Sequence, residues 1–277
     1  MATKKRAAKK STTKSPTNAR GAAAPRSVLT PDPQLIDDLV LANHILLNEG
    51  VLDGYGHVSA RHDKNPDRFL ISCHRTPRAV QKGDIMVLDL DANAADGSSG
   101  QLTGERFIHS EIYRARPDVM AIVHSHSPGV IPFGITGNRL RPVWHVSCFL
   151  GLCKVPLFEI RDTEGPATDL LILTPGRGKA LAKSLDRAPV VLMRGHGSTT
   201  VGVSLKQAVF RAIFTEMNAK LQLDAMKIGK VNYLTKQESV TAAKFIESEF
   251  SVSKPWEYWV QRLADAKRMA GRGENEG

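Results

Sequence analysis

The stretch AIVHSHSPGV, residues 121–130, most constrains the fold, because an apolar run there must end on two imidazoles. Ala121-Ile122-Val123 reads as a buried strand, and Ser127-Pro128-Gly129 supplies the turn residues that stop it. Successive strand side chains alternate faces, so His124 and His126 emerge on one face at the strand's mouth. A lone histidine in such a place is usually a hydrogen-bonded core residue. A same-face pair is also how two ligands of one metal ion are presented.

The rest of the chain alternates helical and strand patterns. Leu35, Leu39, Ala42, Ile45 and Leu46 recur at helical spacing behind a Pro-rich start. GYGHVSARH is a glycine-rich turn into a short strand, and DRFLIS and DIMVLDLDAN read as two more. GERFIHSEIYRARPDV predicts a helix with Phe107, Ile108, Ile112 and Tyr113 as its apolar stripe, ending at Pro117. Further strands are expected around 119–126, 142–147, 155–161 and 189–194. A long helix is expected over SLKQAVFRAIFTEMNAKLQLDAMKIG, with Ala208, Val209, Ala212, Ile213, Met217 and Leu221 facing the core. A final helical region carries the cluster PWEYW. Mixed in this way, the elements predict one layered α/β domain over residues 31–270.

Residues 1–28 hold eight Lys or Arg and no acidic residue, which leaves about +2 of the net +10 for everything else. A segment of that composition, without apolar periodicity, is expected to form a disordered basic tail over residues 1–30. Contact with nucleic acid and a role as a transit peptide are both weaker readings of it than a solvated tail. No apolar run approaches the roughly 20 residues a membrane span needs, and with no secretory leader in sight a cytoplasmic protein is expected. Cys73, Cys148 and Cys153 form no CxxC pair, so buried, reduced thiols are expected rather than a disulfide framework or a zinc ribbon.

A third histidine joins the first two. PVVLMRGHGSTTVG reads as a strand running into Gly195-His196-Gly197, where the flanking glycines permit unusual backbone angles and close approach. The carboxylate candidate is Glu105, in the first turn behind Thr103-Gly104. It either favours the helix dipole, ligates a metal, or acts as a base beside one. His109 follows at i+4, as a partner of Glu105 or a plain helix residue.

GYGHVSAR, GERFIHSEIYRARPDVMAIVHSHS and RGHGSTTVG, in that order and spacing, resemble the class II aldolase/adducin superfamily. The resemblance covers roughly residues 35–265. It implies a three-layer α/β/α fold around a mixed, largely antiparallel sheet, and a homo-oligomer, often a tetramer. It also implies a divalent metal held by His124, His126 and His196, with Glu105 as a further ligand or the catalytic acid/base. An adducin-like interaction module without a metal is the non-enzymatic alternative, and retention of all four residues argues against it.

The sequence departs from the sugar-phosphate aldolases of that superfamily where they bind phosphate. Their GNVS-type turn reads Gly56-His57-Val58-Ser59 here, their Ser/Thr-Gly loop reads ISCHRTP, and their Ser-Ser reads Thr103-Gly104. A phosphorylated sugar is therefore not the expected substrate. Instead Arg75 offers a fork for a substrate carboxylate, ahead of Arg78, and His57 a further contact. PVWHVSCFLG adds Trp144 as a pocket wall and His145 as an acid/base, or as a plain strand residue.

Within the superfamily the wording is similar to a subgroup acting on carboxylates. One kind is the non-haem iron oxygenase of aminocoumarin antibiotic pathways, which uses Fe(II) and O₂. It converts a prenylated 4-hydroxyphenylpyruvate, through the mandelate, to 4-hydroxy-3-prenylbenzoate. The other kind is a redox-neutral decarboxylase of ring-cleavage dienoates or dihydroxyphthalates, for which Zn²⁺ or Mn²⁺ would serve as well. The expectation leans to the oxygenase, with an aromatic 2-oxo or 2-hydroxy acid as substrate. An aldolase for a non-phosphorylated hydroxy-keto acid is a third reading.

Overall fold

The computed structural model describes Met1 and residues 29–273 other than 96 and 99. The expected basic tail lies outside the described residues except for Met1, Leu29 and Thr30.

Seven strands form one sheet, and their side-chain alternation decides what packs where. The strands are β1 (His57–Arg61), β2 (Arg68–Ser72), β3 (Ile85–Asp89), β4 (Ala121–Ser125), β5 (Leu157–Phe158), β6 (Val190–Met193) and β7 (Gly197–Gly202). Their order is β3-β2-β1-β4-β7-β6-β5, antiparallel throughout except for the parallel β5–β6 pair. The sheet is thus mixed and largely antiparallel, as expected.

Helices cover both faces. α1 (Pro33–Asn48) starts at a Pro behind the Asp32 cap, α2 (Arg106–Ala115) follows Glu105, and α3 (Ile131–Ile135) and α4 (Arg161–Glu164) are short. α5 spans Pro175–Leu185, α6 Leu205–Ile228, α7 Lys236–Ile246 and α8 Glu249–Gly273. On one face Val58, Ala60, Leu70, Val87, Ala121 and Val123 pack with α1, α6 and α8. On the other, Phe69, Ile71, Met86, Leu88, Ile122 and Val201 pack with Ile108 and Ile112 of α2 and Leu181 and Leu185 of α5. Odd and even strand positions thus serve different layers. His124 shares parity with Ile122, and His57 and Ser59 oppose Val58 and Ala60, so these polar residues face the α2 layer.

Four expectations need correction. Residues 142–147 are not a strand: the backbone of 139–143 is bound by side chains of α6, and a 3₁₀ helix then spans His145–Gly151. Val143 N–H donates to Asn218 Oδ1, Asn218 Nδ2 donates to Arg141 C=O, and Gln222 bonds both Arg141 N–H and Arg139 C=O. Two helix amides thereby do what a neighbouring strand would do. The strand expected over 155–161 is only Leu157–Phe158, because α4 begins at Arg161. On α6 the buried stripe keeps Ala208, Val209, Ala212 and Ile213, but Met217 and Leu221 are exposed, while Glu216, Asn218 and Gln222 are buried in polar contacts. The thiols are free, yet only Cys148 is buried and Cys153 is exposed.

Candidate metal centre

Four element ends deliver the cluster. His124 is the penultimate residue of β4 and His126 follows just beyond it; Glu105 stands at the N-terminal cap of α2; His196 sits in the β6–β7 turn. That turn needs its glycines. Gly195 adopts φ +63°, and a Cβ on Gly197 would lie 2.0 Å from the Ser125 carbonyl oxygen. Only a residue without a side chain lets β7 start against the end of β4, which is what brings His196 beside His126.

The donor atoms converge. His196 Nε2 lies 3.1 Å from His126 Nε2 and 3.4 Å from Glu105 Oε2, and His124 Nε2 lies 3.6 Å from that same oxygen. All four donors lie within 4.8 Å of one another. Tetrahedral ligation at about 2.1 Å would separate donors by roughly 3.4 Å.

The outward nitrogens fix which lone pairs face inward. His196 Nδ1–H donates to Leu170 C=O at 3.0 Å, and His126 Nδ1–H donates to Asp53 Oδ2 at 3.0 Å. Both acceptors are proton-free oxygens, so each ring carries its hydrogen outside and turns a bare Nε2 inward. His124 Nε2 is buried without a hydrogen-bond partner. Bare nitrogens facing each other and a carboxylate oxygen are held together at a cost that a cation removes. A divalent metal fits this donor set.

The surroundings act on protonation in the same sense. Burial lowers His124 to about 4, against the pull of Glu105. Burial alone would raise Glu105, but the His124 and His196 rings beside it outweigh that and hold the carboxyl well below the usual range. Asp53 is also lowered: burial raises it, and N–H donation from Tyr55 and Gly56 with the His126 contact more than compensates.

A second layer of contacts orients the ligands. Asp53 Oδ1 accepts from Tyr55 and Gly56 N–H, so the turn before β1 aims the carboxylate at His126. Residues 170–172 strap the other side: Leu170 holds His196, and Ile172 N–H donates to Glu105 Oε1 at 2.8 Å. Leu170 sits at φ +67°, a left-handed backbone that a leucine seldom adopts. Sequence reading missed both layers. The Asp53-Gly54-Tyr55-Gly56 turn carried a signal, an acidic residue ahead of glycines, whereas nothing in the sequence marks a main-chain carbonyl.

His109 is neither a partner of Glu105 nor a plain helix residue. Its Nε2 lies 2.7 Å from His57 Nδ1 and its Nδ1 2.6 Å from Ser59 Oγ, which lies 2.8 Å from the Tyr113 hydroxyl. Burial and the neighbouring His124 push His57 down to about 3, and burial lowers His109 as well. His57 lines a cavity of about 400 Å³ with Tyr55, His74, Arg75, Thr76 and Thr103. The structure therefore brings Arg75 and His57 together. Arg75 is half-exposed, with Nε 3.5 Å from Asp84.

Trp144 and His145 are not brought there. Trp144 packs edge-on against Phe214, and His145 lines a different cavity with Phe210, Phe214, Tyr258 and Trp259. Within this chain neither side chain reaches the cluster, and the plain strand residue that His145 was alternatively expected to be stands instead at the start of a 3₁₀ helix.

Comparison with known proteins gives consistent relatives. Residues 37–223 match the class II aldolase and adducin N-terminal domain family. The decarboxylase TropJ of Talaromyces stipitatus is 36% identical over 79% of this chain and 90% of its own length. A 3,4-dihydroxyphthalate decarboxylase of Arthrobacter keyseri is 30% identical over 82% of this chain and 93% of its own. A 4-hydroxy-3-prenylphenylpyruvate oxygenase/4-hydroxy-3-prenylbenzoate synthase of Streptomyces roseochromogenus is 30% identical over 53% of this chain and 51% of its own. Among solved structures, an L-fuculose 1-phosphate aldolase from Glaciozyma antarctica superposes with TM-score 0.69 at 23% identity, over 85% of this chain and 90% of that one.

Proposed function

The chain belongs to the class II aldolase and adducin family, and on that premise we propose that it is a metal-dependent decarboxylase of a hydroxylated aromatic or dienoic acid. The catalytic domain of this reading spans residues 31–270 and works as a homo-oligomer. The observation that carries it is the convergence of three imidazole nitrogens and one carboxylate oxygen beside the cavity of His57 and Arg75. The relatives that align along about four-fifths of the chain, 79% and 82%, are named decarboxylases.

In such a reaction the carboxylate leaves as CO₂, its bonding pair stays on carbon, and a proton takes its place. A divalent cation held at the cluster would draw the developing charge onto a substrate oxygen as a Lewis acid. Arg75 offers two parallel N–H groups to a carboxylate of the substrate. Glu105, kept ionised by the imidazoles and pinned by Ile172 N–H, suits ligation better than proton delivery. Asp53 and Leu170 keep His126 and His196 in the tautomer that ligates.

The second reading is the Fe(II) oxygenase. Imidazole and carboxylate donors suit iron, and the oxygenase relative is 30% identical, though over only 53% of the chain. One assay separates the two: protein loaded with Zn²⁺, Mn²⁺ or Fe(II) is given 3,4-dihydroxyphthalate without oxygen, and CO₂ is measured. Release that persists anaerobically and is lost in His126→Ala supports the decarboxylase. Release confined to a prenylated 4-hydroxyphenylpyruvate, with stoichiometric O₂ uptake, overturns it in favour of the oxygenase.

A further inference from the structure

The buried chain from Tyr113 to His57 has a direction, and its inner end sets it. Tyr113 is 1% exposed, and among the described residues its hydroxyl has one hydrogen-bond partner, Ser59 Oγ. A phenol with one partner donates to it, since the reverse arrangement leaves a buried O–H without an acceptor. Ser59 must then direct its own hydrogen to its other partner, His109 Nδ1. With Nδ1 accepting, His109 carries its hydrogen on Nε2 and donates it to His57 Nδ1. His57 in turn is left with its hydrogen on Nε2. Among the described residues no protein group takes that hydrogen, and His57 lines the cavity beside the cluster.

We propose that Tyr113, Ser59 and His109 lock His57 as a neutral Nε2–H donor facing the cavity, and that this donor selects acids carrying an oxygen acceptor next to the carboxylate that is lost. A ring hydroxyl, phenolate or second carboxylate meets that need; a hydrocarbon flank does not. The substrate half of the inference rests on the decarboxylase reading, and the tautomer half does not. Tyr113, Ser59 and His109 are positioning residues, and His57 alone meets the substrate. Each link is shorter than 3 Å, at 2.7, 2.6 and 2.8 Å, so the ring has little rotational freedom. Ser59 and His109 are fully buried, which denies water the chance to supply the alternative donor or acceptor.

The test is nitrogen NMR of the full chain with ring-¹⁵N histidine, metal-free and Zn²⁺-loaded, the His57 signal being assigned by its disappearance in His57→Gln. A pyrrole-type Nε2 and a pyridine-type Nδ1 at both His57 and His109 are expected. A pyrrole-type Nδ1 at His57 overturns the inference. In Ser59→Ala, and in Tyr113→Phe if the first fails to fold, the fixed tautomer should give way to a mixture. An unchanged His57 signal in a folded variant shows that the chain does not set it. With an acid that the enzyme turns over, His57→Phe should raise KM at least about tenfold, and His57→Gln, which keeps an N–H, at most about threefold. Equal effects overturn the donor role. If no acid is turned over, the functional reading fails, and the NMR result still decides the lock.

Discussion

Residues 121–126 and 142–147 are both short apolar runs that carry histidine, yet one is a central strand and the other is no strand at all. Locally they differ little. What separates them is where the backbone hydrogen bonds go. β4 is paired on both edges, by β1 through His57↔His124 and by β7 through His124↔Thr199, so its imidazole is fixed in depth and direction. Residues 139–143 find partners on Asn218 and Gln222 of α6 and lead into a 3₁₀ helix. A histidine in a doubly paired strand can be aimed at a shared point, whereas one in a segment tied to a helix goes where the helix takes it.

The largest effect should come from breaking the first region. Replacing His196 or His126 by alanine should cost at least about a thousandfold in metal affinity and abolish CO₂ release, because each supplies one of the donors that converge on the site. His145→Ala should change both by less than about threefold. Isothermal titration with Zn²⁺ measures this difference.

Breaking the second region should cost stability and spare the metal. Asn218→Ala removes the partner of Val143 N–H, Ser147 O–H and Arg141 C=O together. The loss should be roughly 3 kcal/mol in urea unfolding, with Zn²⁺ affinity within about threefold of wild type.

Acidity sharpens the comparison further. His57, His109 and His124 are held below their unfolded values by burial. Their contribution is therefore complete above the unfolded pKa near 6.5 and is lost as pH falls toward the folded values. Metal-free protein should lose roughly 2 kcal/mol between pH 7 and pH 6, read as a lower Tm. A flat profile there would mean that the folded imidazoles take up protons over this range just as the unfolded ones do.

The smallest effect expected is at the outer contact. Asp53→Asn should weaken metal binding by about tenfold while the fold is retained, since it removes the carboxylate that orients His126 and leaves the ring.

Much of this was legible in the sequence, for reasons that can be named. Alternation in β4 and glycines around His196 are local signals, so three imidazoles stood out in the chain alone, whereas their joining with Glu105 at one metal came through the resemblance. The sheet's mixed character and its two helical layers came through the resemblance. His109 was visible as a residue, but its partner was not, because the register that sets His57 and Ser59 against α2 is a tertiary fact. Leu170 was invisible, since its role is carried by a carbonyl and a left-handed backbone. His145 misled because aromatic and β-branched residues suit a strand and a 3₁₀ turn against a helix equally well. Met217 and Leu221 misled because α6 buries Glu216, Asn218 and Gln222 where a simple stripe would bury apolar groups.

Everything proposed for this chain turns on whether Glu105, His124, His126 and His196 hold one metal ion. Equilibrium dialysis of the full chain against Zn²⁺, with metal content read by mass spectrometry, answers this. About one equivalent in the wild type and none in His124→Ala/His196→Ala, with that variant still folded, is the predicted result. An equivalent retained by the double variant, or none in the wild type, would contradict it.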